Sequence, residues 1–159
     1  MLRNAAIAAL AIVATAPAVS ADEALARYDR VAIKPMTSSI YIATVTMTMP
    51  PFSRRGAIFS STYYAKVFPY FFWSESGRIW IDVPEDKLLL LEQGKPLDFA
   101  GRGMSESGDE RRIEGRAIPT GPSVGRITVR VYVTKRIHLT FDTTYELQGA
   151  SPPTAVTPR

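Results

Sequence analysis

The sequence predicts a mainly β domain: an antiparallel β-barrel or β-sandwich of about seven or eight strands, with one short capping α-helix at 84–93. Three observations carry this. Apolar and polar residues alternate with period two in Ile40 to Met49, Ala57 to Phe68 and Arg126 to Leu147. Pro, Gly and Ser punctuation separates these runs at short intervals. Only one stretch combines helical spacing with helical end signals.

The chain begins Met1-Leu2-Arg3-Asn4, then runs uncharged from Ala5 to Val19 and reaches small residues at Val19-Ser20-Ala21. This is the pattern of a secretory signal peptide over 1–21, cleaved after Ala21. The apolar stretch is Ala-rich and shorter than the roughly 20 residues of a membrane span, so no integral span is expected after cleavage. The expected location is a bacterial periplasm or the outside of the cell. Residues 22–147 form one expected β-rich domain, and 148–159 a disordered tail of Pro, Thr and Ala.

Asp22 to Arg30 carries two early acids and a Leu25–Tyr28 pair, which suggests one or two helical turns ended by Lys34-Pro35. In Ile40 to Met49 the residues Tyr41, Ala43, Val45, Met47 and Met49 share a face, opposite Thr44, Thr46 and Thr48. Pro50-Pro51 stops that strand, because Pro has no amide to donate, and 53–56 is expected as a connection. Ala57 to Phe68 then sends Phe59, Tyr63, Ala65 and Val67 to one side. The richest aromatic stretch, Val67 to Val83, is expected as a hairpin turning on Ser74-Glu75-Ser76-Gly77. Pro84 in a first turn, Glu85 and Asp86 behind it, Leu88 to Leu91 and Gly94 at the end define the helix.

Beyond the helix, Leu97 to Met104 and Glu110 to Ile118 flank Ser105-Glu106-Ser107-Gly108, a second hairpin whose loop repeats the first in four letters. From Arg126 to Leu147 the apolar residues stay on odd numbers, which fits one long curved strand or two joined at Thr134 to Arg136.

The chemistry is sparse. The chain has no Cys and a single histidine, His138, so a zinc or transition-metal site lacks ligands and no metal or cofactor is expected. Thr140 and Asp142 follow His138 on one strand face, but same-face neighbours stand about 6.6–7 Å apart, too far for a relay. Acids at 82, 85 and 86 serve helix capping better than calcium. Glu110, Arg112, Glu114 and Arg116 alternate in sign as a solvated face. Losing Arg3 with the signal takes the formal charge from +4 to +3, with both signs interspersed, so no nucleic-acid partner is expected. Arg54-Arg55 and Lys135-Arg136 are candidates for an anionic patch.

The aromatics remain. Phe68, Tyr70, Phe72, Trp73 and Trp80 are expected to wall an apolar ligand site, with Leu88 of the helix closing one end. The general plan of signal peptide, β-rich domain and capping helix resembles exported bacterial barrel families that carry lipids, at the level of architecture only. The expected function is therefore an exported, non-enzymatic β protein binding an apolar or amphipathic, lipid-like molecule. The alternative is an interaction module that docks on an envelope protein or polymer through exposed aromatics or a free strand edge, with no small-molecule ligand.

Overall fold

The structure, a computed structural model, describes residues 28–149. The expected signal peptide, most of the helical segment at 22–30 and the tail beyond Gly149 lie outside the described residues. Within them, Tyr28 and Asp29 are irregular and Arg30 already begins a strand, so that segment ends without a helical turn.

Ten strands form one antiparallel sheet that closes on itself as an eight-stave barrel, which decides between barrel and sandwich. They are β1 (Arg30–Ile33), β2 (Met36–Ile40), β3 (Ala43–Thr48), β4 (Phe52–Arg55), β5 (Ile58–Phe68), β6 (Glu75–Asp82), β7 (Leu97–Ser105), β8 (Glu110–Pro119), β9 (Val124–Tyr132) and β10 (His138–Gln148). The single α-helix of the described residues, α1 (Glu85–Glu92), joins β6 to β7. Ten strands make eight staves because proline interrupts two of them. Pro50-Pro51 separates β3 from β4, yet both ladder with β5, at Val45↔Val67 and Ser53↔Ser60. Lys34-Pro35 separates β1 from β2 in the same way. A proline cannot donate to a ladder, so each break bends a stave without ending it. The staves then follow one another up and down in chain order, and β1 pairs with β10 to complete the ring.

One side of the ring is less tightly sewn. β1 ladders with β10 from Arg30↔Gln148 to Ile33↔Tyr145. Past the proline break β2 ladders with β3 alone, and no ladder joins it to the facing part of β10. The edges meet instead through Lys34, whose N–H donates to the Thr144 carbonyl at 3.1 Å and whose carbonyl accepts the Thr143 hydroxyl at 3.2 Å.

Several sequence expectations need correcting. Tyr41 does not share the inward face of Val45 and Met47. It sits in the β2–β3 turn at φ 46° and is 99% exposed. Residues 53–55 are part of β4, and the connection shrinks to Gly56 and Ala57. The aromatic hairpin does not turn on Ser74 to Gly77. Its loop is Pro69–Ser74, containing a 3₁₀ turn at Phe71–Trp73, and Glu75 to Gly77 belong to β6. All three ladder with β5, from Ala65↔Glu75 to Tyr63↔Gly77, and Gly77 also ladders with β7 at Ser105. Gly77 is there for close approach: a Cβ would lie 2.2 Å from the Met104 carbonyl oxygen. The second copy of the four letters does turn, with Gly108 at φ 91°, where a residue with a Cβ is strained.

The 126–147 region is two strands, joined by 133–137. Their register, His138↔Tyr132 and Phe141↔Val129, pairs even with even and odd with odd. Odd residues therefore point inward on both, which is why the alternation runs through the turn unbroken. Phe141 is completely buried at the centre of that wall.

Candidate functional site

The barrel interior holds an apolar cavity of about 100 Å³. Its middle is lined by inward residues of many staves, among them Phe59, Ile79, Phe99, Ile113 and Val129. At one end α1 lays Leu88 and Leu91 over the opening, both buried, with Leu97 beside them. The helix has few turns to offer, but those two leucines lie three residues apart and so share its inner face. On the less tightly sewn side, the wall is made of Met36, Met47 and Met49.

The end away from the helix is closed by polar groups. Glu75 of β6 accepts the Tyr63 hydroxyl of β5 at 2.8 Å and the Arg111 guanidinium of β8 at 2.9 Å through Nη2 and 3.4 Å through Nε. Arg111 Nη1 also donates to the Val133 carbonyl just after β9 at 3.5 Å, and Asp109 lies 3.6 Å from Nη2. The tie thus spans β5, β6, β8 and the end of β9. Its side chains are largely withdrawn from water, at 15% exposure for Arg111 and 27% for Glu75. Burial, then the hydrogen bond to Glu75, push the Tyr63 hydroxyl above its ordinary value. The same carboxylate raises Arg111. Fork-on-carboxylate geometry of this kind is strong and directional.

Of the six expected wall residues, only Leu88 lines the cavity. Trp80 points outward from β6, under the Arg102 guanidinium at 5.5 Å from its ring. Its parity explains this: Ile79 and Ile81 take the inward positions on either side. Phe68, Phe72 and Trp73 are exposed and Tyr70 half-buried, all in or beside the β5–β6 loop. These rings pack on one another, Tyr70 on Trp73 at 4.8 Å, Phe72 on Trp73 at 5.2 Å and Phe68 on Phe71 at 5.8 Å. The loop they ride on is pinched at its base, where the Val67 N–H donates to the Ser74 hydroxyl at 3.0 Å.

Arg111 and Glu75 escaped the sequence reading although a signal was present. Arg111 has the parity of Ile113 and Ala117, which are buried, while its neighbour Arg112 belongs to the outer charged stripe. Glu75 has the parity of Ile79, and assigning it to a loop hid that. The charged stripe itself is on the outside as expected: Arg112 pairs with Glu114, whose carboxyl is held low by that contact and by the Tyr132 hydroxyl. His138 is exposed at the start of β10, and Asp142 accepts from Thr128 at 2.6 Å rather than facing the imidazole. Arg54-Arg55 and Lys135-Arg136 sit at opposite ends of the barrel and make no common patch. Among the described residues no three His, Cys, Asp or Glu side chains converge as a metal site. No helix among them is long and apolar enough to cross a membrane.

No family model matches the chain, and no curated protein or solved structure is significantly similar to it.

Proposed function

We propose that the protein is a binding protein, acting without catalysis, that takes the apolar part of a small apolar or amphipathic molecule into its barrel. The observation that supports this most is the apolar cavity lying between two unlike ends, α1 at one and the Tyr63–Glu75–Arg111 tie at the other. A cavity of ~150 Å³ lined by Leu, Ile and Phe stays dry and takes benzene. The cavity here, about 100 Å³, suits a group of a few heavy atoms as it stands. Met36, Met47 and Met49 give it room to adapt, because an unbranched thioether repacks at low cost. The tie cancels its own charge, which favours a neutral polar head over an ionised one at that end.

The cavity-filling substitution Ala117→Leu tests this. Ala117 is buried and lines the cavity near α1. Titration with benzene and short alkanols, followed by calorimetry, is expected to show uptake by the wild-type protein and a loss of about tenfold or more in the variant. Absence of uptake, or equal uptake by both proteins, would remove the proposal.

The alternative, an envelope interaction module, draws support from the exposed aromatics of the β5–β6 loop. The edge it expected reduces to β2, five residues that ladder with β3 alone and lie against β10 without a ladder.

A further inference from the structure

We infer that the end of the barrel opposite α1 is a seat for an anionic lipid bilayer. The inference does not depend on what the cavity binds. Three consecutive pieces of the rim carry it. The β5–β6 loop presents Phe68, Phe71, Phe72 and Trp73, with Phe72 77% exposed. The β2–β3 turn presents Tyr41 and Ile42, and the register Thr44↔Phe68 places that turn beside the aromatic loop. The β9–β10 turn lies beyond β2, which packs against β10, and presents Ile137 with Lys135 and Arg136. That turn is at the same end as the loop, since Arg111 joins Val133 to Glu75.

The rim is convex as well as apolar. Tyr41 is 99% exposed, and Phe72, although its ring touches Tyr70 and Trp73, is 77% exposed, so both project beyond the staves. A projecting set of Trp, Tyr, Phe and Ile suits a fluid interface, where apolar rings enter the acyl boundary and the polar tips of Trp and Tyr stay at headgroup level. A protein partner would need a matching hollow. The charges agree: Lys66 lies over the Phe71 ring at 5.5 Å, and Lys135 and Arg136 belong to the turn that leads into β10, the strand against which β2 packs. The water-facing acids of this end, Glu106, Asp109 and Glu110, are gathered in and beside the β7–β8 turn on the other side of the aromatic loop, and Glu75 is paired within the tie. A tilted seating buries the basic and apolar arc and leaves the acidic turn in water. Each basic residue near an anionic surface adds attraction that salt screens.

The test uses vesicles of phosphatidylglycerol with phosphatidylethanolamine, and vesicles of phosphatidylcholine alone. A Trp80→Phe background leaves Trp73 as the sole tryptophan, so brominated acyl chains report its depth. The expected results are co-sedimentation with the anionic vesicles, quenching of Trp73, and a loss of about tenfold or more in partitioning for Phe72→Ser/Trp73→Ser. Lys135→Gln/Arg136→Gln is expected to lose several-fold, at anionic vesicles only. The substituted side chains are exposed, so unfolding midpoints should stay at the wild-type value, which separates lost docking from lost folding. No binding to anionic vesicles, or binding that Phe72→Ser/Trp73→Ser leaves unchanged, overturns the inference. So does self-association abolished by the same pair without vesicle binding, which would make the rim an interface between proteins.

Discussion

The two ends of this barrel are closed by different physics. At the helix end, Leu88 and Leu91 are simply buried, and the closure holds through area and packing. At the other end a carboxylate, a guanidinium and a phenol cross the opening, and the closure holds through hydrogen bonds among partly buried charges. An apolar plug is indifferent to pH and to which rotamer fills it. A polar tie has discrete joined and parted states and shifts with protonation. The loose seam between β2 and β10 and the three methionines lie toward the tied end as well. If the barrel binds as proposed, the tied end is the one through which a guest would enter, and the helix end the one that stays shut.

The largest effect expected from breaking this contrast is at the plug. Leu88→Ala should cost ~3 kcal/mol, as for other buried leucines, in urea unfolding. A loss under ~1 kcal/mol would mean the helix does not hold that end closed. Next comes the tie. Arg111→Met leaves Glu75 withdrawn from water without its cation, and should cost about 2 kcal/mol after allowing for its partial exposure. Arg111→Met with Glu75→Met should recover most of that loss, because the cost lies in the orphaned charge. No recovery would mean the two residues act separately. Smallest is the pH response. Tyr63 has its hydroxyl raised in the folded chain, so the folded state holds the proton more tightly than the unfolded one. That contribution is complete below the ordinary tyrosine value of ~10 and is lost as pH climbs above it. Tyr63→Phe should flatten the alkaline decline in unfolding free energy, leaving the part owed to Tyr145, which burial also raises. An unchanged decline would detach Tyr63 from the tie.

Much of the barrel was legible because its inward faces obey parity. Phe59, Tyr63, Ala65 and Val67 fall on one side of β5 in the sequence and are buried in the structure. The helix ends fell within a residue of expectation for a similar reason: Pro84, the acids after it and Gly94 are local signals. What could not be read was the outcome of non-local pairing. Ser74 to Gly77 and Ser105 to Gly108 have identical letters, yet the first runs into a strand and the second makes a turn. They even meet, since Gly77 pairs with Ser105 and the Glu106 N–H donates to the Ser76 carbonyl at 2.9 Å. Four residues carry turn propensity; a ladder on each side overrules it. That single misplacement moved Tyr70, Phe72 and Trp73 from the expected cavity wall to the rim and hid Glu75, whereas Phe68 and Trp80 face outward by strand parity. Arg111 was concealed differently, by the alternating charges on either side of it.

The central claim is that the barrel interior holds an apolar guest. Native mass spectrometry of the protein, purified without detergent or organic solvent, tests it most directly. The account predicts a mass excess that disappears on organic extraction and is absent from Ala117→Leu prepared in the same way. A bare mass for the wild-type protein, together with no uptake of benzene or short alkanols, would contradict it.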